Sequence, residues 1–316
     1  MLHHFCTKAA LGLSVLLFVR LSHAEELPAP KPKNGVTDAT VKPANRFVRL
    51  VRNSEDQPTA METAVVSFTH KDKKDGVVID LIGAVHVGEK AYYEDLNKAF
   101  AGYDAVLYEL VAPSGTRIAK GQKTSNRHVA GAMQNGMKGV LELEHQLEMI
   151  DYTLENMVHA DMSPDDFSKS MADRGESFMG MMFKFMGQGM AQQSRLQAKG
   201  QSFEWDMLGA LFADDRALVL KRLMAEQFED LETSMAAFNG KDGSTIITER
   251  NKVALKKLSE ELQAGKKHIA IFYGAGHLPD MEERLIADFG LQRTGERWLT
   301  AWDLSDSASS KKPASR

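Results

Sequence analysis

The apolar and polar positions of this chain follow two periods, and each period predicts a kind of element. Strand-like runs occupy "RFVRLVR", "METAVVSFTH", "VVIDLIG", "DAVLYEL", "KHIAIFYG" and "ERWLTAW". Helical spacing marks "EKAYYEDLNKAF", "STIITERNKVALKKLSEELQAG" and "LPDMEERLIADFG". Because strand, helix and strand follow one another, the pattern predicts parallel pairing. The fold class that we expect is α/β, with a mixed, largely parallel sheet and flanking helices.

The middle of the chain, about residues 115–240, has helical patterns only. Its segments read "VLELEHQLEMIDYTLENMV", "SPDDFSKSMADR", "SFMGMMFKFMGQGMAQQ" and "DRALVLKRLMAEQFEDLETSMAAF". Ser163 followed by Pro164 is a typical helix start. We therefore expect a helical subdomain inserted into a single α/β domain that spans residues 46–304.

The two ends of the chain lack the patterns of a folded domain. Residues 1–24 contain the apolar run "AALGLSVLLFV" and end with Ser22 and Ala24 at the positions of a signal-peptidase site. This predicts a cleaved signal peptide and a secreted or periplasmic protein, the alternative being an uncleaved membrane anchor. Residues 25–45 are rich in Pro and Lys and predict a flexible lead, and residues 305–316 predict a disordered tail.

Charge and cysteine content exclude several classes of protein. The formal net charge of −4 favours neither nucleic acid nor anionic lipid, and we expect no stable membrane span after signal cleavage. The single cysteine, Cys6, lies in the predicted signal peptide. Without it the protein has no disulfide, no catalytic thiol and no thiolate ligand. A bound metal would be held by His, carboxylate or Met side chains.

Two Gly-Ala-x-His motifs carry the candidate chemistry. Gly83 to His86 and Gly274 to His277 each lie between a buried strand and a helix. Ligands of open α/β sheets bind at the carboxyl ends of the strands, and a glycine there lets the backbone turn and approach a ligand. A helix N-terminus disfavours a cationic imidazole, and metal binding needs the neutral form. A structural role in core or loop remains the alternative for either histidine.

A carboxylate and a guanidinium extend the candidate site. Glu109 lies at the carboxyl end of the strand "DAVLYEL", where a charge is unfavourable unless it is paired or coordinated. Two imidazoles and a carboxylate would make an N/O metal site with open positions. Arg250 could clamp a substrate carboxylate or an oxyanion. The alternatives are that Glu109 binds an arginine or a helix N-terminus, and that Glu249 and Arg250 form an exposed pair.

These elements, in this order, resemble the TraB/PrgY/GumN–Tiki family, which is related in fold to the erythromycin-esterase and ChaN-like proteins. The matching residues are Gly83 and His86, Glu109 in "LYEL", Glu249 with Arg250 and Asn251, and Gly274 with His277 in "GAGHL". The resemblance implies an α/β core with a helical insertion and a metal-dependent hydrolase site. The Tiki branch consists of metalloproteases. Ala84 stands where the family often has Thr, so a hydroxyl that orients a ligand would be missing.

The hypothesis that follows is a metal-dependent hydrolase, with peptides or proteins as substrates. His86 and His277 would be metal ligands, Glu109 a ligand or general base, and Arg250 a stabiliser of developing negative charge. The ion would be Mn, Co or Zn, and it would activate a bound water. The alternative is a non-catalytic module on the same fold that sequesters a peptide, haem or a metal.

The segment 131–190 holds 11 of the 17 methionines. Thioethers suit copper(I), but the interleaved Phe residues favour an adaptable apolar surface that faces inward or lines a groove beside the site. A peripheral membrane contact is a further alternative. Glu142 and His145 have di-iron spacing, which a solvated helix face also explains.

Overall fold

The computed structural model describes residues 47–72, 75–121, 141–177, 179–180, 209–210, 212–229, 239 and 242–306. The folded residues belong to one compact unit, Pro43–Arg316. The predicted signal peptide and lead lie outside the described residues, as do residues 307–316 of the predicted tail and residues 131–140, 178 and 181–190 of the Met-rich segment.

The fold is α/β, with a mixed, mostly parallel seven-stranded sheet. Its strands are β1 (Val48–Arg52), β2 (Pro58–His70), β3 (Val78–Ala84), β5 (Ala105–Tyr108), β7 (Met157–His159), β8 (His268–Gly274) and β9 (Leu291–Asp303). The short strands β4 (Val87–Gly88) and β6 (Glu144–His145) pair separately.

The sheet order is β1-β2-β3-β8-β5-β7. The strands β3, β8, β5 and β7 are mutually parallel, and β2 is antiparallel to β1, β3 and β9. The long strand β9 occupies one side of β2 along Ala60–His70. Both β1 and β3 therefore pair with the other side of β2, β1 with its first half and β3 with its second half. The strands β2 and β3 form an antiparallel hairpin. The predicted strand–helix–strand unit, β3-α1-β5, is present with parallel strands, but β8 lies between β3 and β5 in the sheet.

The helices flank this sheet. They are α1 (Lys90–Phe100), α2 (Gln146–Met149), α3 (Pro164–Asp173), α4 (Arg216–Glu229), α5 (Arg250–Gln263) and α6 (Leu278–Ala287). In α1 the buried residues are Tyr92, Tyr93, Leu96 and Phe100, which is the face that its apolar spacing predicts. Ser163 caps α3 by accepting a hydrogen bond from the backbone N–H of Asp166, as the sequence predicts. Among the described residues, no helix combines the length and apolar character that a membrane crossing needs.

The helical prediction for the middle of the chain is partly wrong. The segment "VLELEHQLEMIDYTLENMV" contains the strands β6 and β7 and only one short helix, α2. The apolar residues Met157 and Val158 complete the sheet beside β5, so tertiary pairing overrides the helical spacing. His145 lies in β6 rather than on a solvated helix face, and it is buried. The α3 and α4 predictions are confirmed over their described residues.

Candidate functional site

Four neighbouring parallel strands each present one polar side chain at the same edge of the sheet. In sheet order, β3 leads to His86, β8 to His277, β5 to Glu109 and β7 to Asp161. Carboxyl ends of parallel strands lie side by side, so residues far apart in the sequence meet there. Three of the four are residues that the sequence predicts. Asp161 is new.

The Glu109 carboxylate is held from two sides. Its Oε1 accepts a hydrogen bond from Arg250 Nη2 at 2.6 Å, and its Oε2 accepts one from the Gly274 backbone N–H at 2.7 Å. A Cβ on Gly274 would lie 3.2 Å from Glu109 Oε2. Gly83, the glycine of the first motif, is buried instead against β2 and the backbone of the residue before β1. Glycine at position 274 is therefore what lets this carboxylate approach the backbone.

Arg250 is a buried cation between two carboxylates. Besides Glu109, it binds Asp161 through Nε to Oδ1 at 2.9 Å and Nη2 to Oδ2 at 2.6 Å. The Asp161 side chain is fully buried, with 0% exposure. Burial alone would lower the pKa of Arg250, but Glu109 and Asp161 raise it well above its ordinary value. Arg250 is thus a charged partner of both carboxylates, and the exposed pair with Glu249 that we considered is not formed.

Asp161 could be found in the sequence only by a weak signal. It follows "MVHA", a short run between helix-like segments, and it precedes the Ser163 helix start. Its position is reinforced by Tyr273 in β8, whose hydroxyl donates to the carbonyl of the preceding Ala160. A polar residue directly after a strand-like run is the pattern shared with Glu109 and His86.

The tautomer of His277 follows from its contact with Asn251. His277 Nδ1 lies 2.7 Å from Asn251 Oδ1, while Asn251 Nδ2 donates to the His277 carbonyl and to Asp280 Oδ2. An amide oxygen can only accept, so Nδ1 carries the proton. The Nε2 lone pair therefore faces Arg250 Nη1, at 3.4 Å, and Glu109 Oε1, at 3.6 Å.

The electrostatics of the site leave the imidazole neutral and the carboxylate ionised. Burial lowers the pKa of His277 to about 4. Burial would raise the pKa of Glu109, but the Arg250 guanidinium outweighs it and holds that pKa well below its usual range. Counted as formal charges, the two carboxylates Glu109 and Asp161 and the guanidinium of Arg250 make one net negative charge.

His86 stands at the exposed rim of the site. Its side chain is exposed, whereas that of His277 is buried. It lies close enough to Glu109 to add to the lowering of that carboxylate's pKa, which opposes the effect of burial, but it contributes less than Arg250. The two-residue strand β4 separates it from α1, so the predicted position at a helix N-terminus holds for His277 alone.

The five residues before Arg250 form a π-helix, Thr245–Glu249, that runs directly into α5, whose first residue is Arg250. Single π-helical turns inserted into α-helices are frequent at functional sites. Its last residue, Glu249, turns away from the site and pairs with Arg174 and Lys252. Of the two motif residues that flank Arg250, Asn251 thus belongs to the site and Glu249 does not.

The donor chemistry of the site is compatible with a divalent ion. His277 Nε2 and Glu109 Oε1 are 3.6 Å apart, and two ligands at about 2.0–2.2 Å from one ion are at most about 4.4 Å apart. The Nδ1 contact with Asn251 is the type of contact that orients metal-binding histidines. Over the described ranges, however, no three His, Cys, Asp or Glu side chains are grouped to hold a metal. His86 would have to turn toward the pair to supply the third ligand.

A cleft of about 730 Å³ lies between the start of α1 and β9, lined among others by Glu89, Tyr92, Asp95, Trp298 and Asp303. None of the candidate residues lines it. The predicted groove formed by the Met-rich segment stays a prediction, because residues 131–140, 178 and 181–190 of that segment lie outside the described residues.

No protein-family model, no curated protein and no solved structure matches this chain. The site itself therefore carries the functional argument.

Proposed function

We propose that this protein is a metal-dependent hydrolase, with peptides or proteins as its substrates. The observation that carries the proposal is the His277–Glu109 pair, in which a neutral imidazole nitrogen and an ionised carboxylate oxygen lie 3.6 Å apart in a buried group of net negative charge. The ordered motifs that resemble the TraB/PrgY/GumN–Tiki family support the same proposal.

The low pKa values favour ligands over proton acceptors. A general base works best when its pKa lies near the working pH. His277, with a pKa of about 4, and Glu109, with a pKa below its usual range, are weak bases at neutral pH. The same property helps metal binding, because no proton has to be displaced. A divalent ion bound here would lower the pKa of a water molecule and polarise a carbonyl group.

The protein's own groups would position the substrate and neutralise charge. Arg250 is rigidly held by Asp161 and stays charged at any working pH, so its Nη1 edge can stabilise a negatively charged oxygen beside His277. Asn251 keeps the Nε2 lone pair of His277 directed at that position. His86, at the rim, is accessible from solvent and can close the ligand set.

A second candidate, a non-catalytic binding module for a peptide, haem or a metal, is favoured by one feature of the same network. Both oxygens of Glu109 and both oxygens of Asp161 already have partners within the protein. The Nε2 lone pair of His277 also faces Arg250. A network satisfied in this way can serve to hold the ends of β5, β7 and β8 together without turnover.

Metal analysis with a peptide-hydrolysis assay separates these candidates. The full chain is purified, stripped with a chelator and titrated with Mn²⁺, Co²⁺ or Zn²⁺, and a peptide library is then incubated with each form. His86→Ala and His277→Ala are compared with His268→Ala, which removes a histidine from the opposite end of β8.

We expect stoichiometric binding of one of the three ions and metal-dependent product formation in wild type and in His268→Ala. Both site variants should lose at least about tenfold in metal affinity. Saturable peptide binding without product would favour the binding module. Wild-type protein that binds none of the three ions would contradict the proposal.

A further inference from the structure

The backbone that carries His86 is fixed by three donors, two from α1 and one from α2. Tyr92 Oη donates to the Gly83 carbonyl at 2.8 Å, and Tyr93 Oη donates to the Val85 carbonyl at 2.9 Å. The His86 carbonyl accepts from the Gln146 backbone N–H at 2.9 Å. The carbonyls of two residues before His86 and the carbonyl of His86 itself are therefore all hydrogen-bonded.

The segment after His86 is fixed in the same way. The Val87 carbonyl accepts from Trp302 Nε1 at 2.8 Å, and the Glu89 N–H donates to the Ala301 carbonyl at 2.8 Å. A Cβ on Gly88 would lie 3.2 Å from Tyr92 and 3.3 Å from both Tyr93 Oη and the Ala301 oxygen. The backbone is thus tightly enclosed, although the His86 side chain itself is exposed.

The two tyrosines are themselves buried and specifically placed. Tyr92 is 3% exposed and Tyr93 is fully buried. Thr63 Oγ1, in the neighbouring β2, lies 3.1 Å from Tyr92 Oη and adds a third hydroxyl to this group. A buried phenol without a partner is unfavourable, so each hydroxyl holds its carbonyl strongly.

We propose that Tyr92 and Tyr93 are positioning residues that hold the Gly83–His86 turn, so that the His86 imidazole is presented to the site by a rigid backbone. This inference rests on the proposed function, because it gives His86 the role of a ligand. Metal ligands need supporting groups that fix their orientation, and removal of such a group typically weakens metal binding about 10–100-fold. Position 84, an alanine here, offers no side-chain hydroxyl to do this.

Tyr93→Phe tests the inference, because it removes one hydroxyl and keeps the ring. Tyr103→Phe is the matched control. Its hydroxyl donates to Asp80 Oδ2 at 2.6 Å in the buried interior, away from the carboxyl end of β3. Tyr92→Phe, which releases the Gly83 carbonyl, is a second site variant. The measurements are Mn²⁺, Co²⁺ and Zn²⁺ affinity, and amide hydrogen exchange of peptides covering residues 83–89.

We expect Tyr93→Phe to bind the preferred ion about tenfold more weakly than wild type and to exchange up to about tenfold faster in residues 83–89. Tyr103→Phe should lower the melting temperature without either change. Equal metal affinity and equal exchange in Tyr93→Phe and Tyr103→Phe would overturn the inference while leaving the proposed function intact.

If wild type binds none of the three ions, the proposed function fails. Hydrogen exchange alone then decides whether the two tyrosines hold the Gly83–His86 turn. Faster exchange of residues 83–89 in Tyr93→Phe and Tyr92→Phe, but not in Tyr103→Phe, still supports the inference. Unchanged exchange overturns it.

Discussion

Asn251 Oδ1 lies 2.7 Å from His277 Nδ1, and this single contact determines which nitrogen of the ring faces Glu109 and Arg250. Asn251 is fully buried, and its Nδ2 also bonds the His277 carbonyl. One amide therefore fixes both the backbone and the ring of the same histidine.

Replacing Asn251 with Leu should affect stability and metal binding together. The change leaves Nδ1 and the carbonyl of His277 unpaired in the interior, so we expect the free energy of unfolding to fall by about 1–3 kcal/mol. Metal affinity should fall about 10–100-fold. Asn156→Leu is the matched control, because Asn156 bonds the carbonyls of Phe100 and Tyr103 far from the site. Denaturant unfolding and metal titration check both effects, and equal metal affinity in the two variants would argue against an orienting role.

His277 should make stability depend on pH. Its pKa is about 4 in the folded protein, below the ordinary value of 6.5, so between these values the unfolded chain binds the proton more tightly. The stabilisation is fully present above about pH 6.5 and is lost as the pH falls toward 4, by about 3 kcal/mol in total. Urea unfolding between pH 4 and 8 should show a smaller acid loss in His277→Gln than in wild type. His268→Gln controls for loss of a histidine, and identical pH profiles for wild type and His277→Gln would refute this assignment.

Removing the Arg250 charge should be strongly destabilising. Arg250→Met leaves Glu109 and Asp161 buried without their common cation, so the free energy of unfolding should fall by about 3–5 kcal/mol. Adding Asp161→Asn removes one of the stranded charges and should restore part of that loss. Lys169→Ala, which breaks an exposed pair on α3, should have no measurable effect. Chemical denaturation of the four proteins checks the order, and a stable Arg250→Met would show that the network is dispensable for folding.

Gly274→Ala should disturb the site with little effect on backbone conformation. Gly274 has φ −49° and ψ 133°, which alanine adopts freely, so the only conflict is the 3.2 Å approach of the new Cβ to Glu109 Oε2. We expect a loss of about 1 kcal/mol from the weakened hydrogen bond between the carboxylate and the backbone. Gly295→Ala in β9 is the control, because its Cβ would meet no atom within 4 Å. Equal melting temperatures in the two variants would contradict this explanation.

The sequence predicts the strand ends that carry the site better than it predicts the contacts between the side chains of the site. Strand ends are local features, so the apolar runs locate His86, Glu109 and His277 at one edge of a parallel sheet. Asp161 was missed because β7 has only three residues and gains its stability from pairing with β5, which no local period records. The pairing of β9 with β2, and the choice of Asp161 rather than Glu249 as the partner of Arg250, likewise depend on contacts between distant segments.

Arg250 also links the site to the order of folding. It joins Glu109, 141 residues earlier in the chain, and Asp161, 89 residues earlier, so its two ion pairs close two long chain loops at once. Contacts of such sequence separation form after the entropy of loop closure has been overcome, and they slow folding. A chain emerging from the ribosome carries Glu109 and Asp161 as unpaired carboxylates until α5 has been synthesised. The buried charges are therefore completed by the C-terminal quarter of the protein, and a truncated chain that lacks it cannot assemble the site.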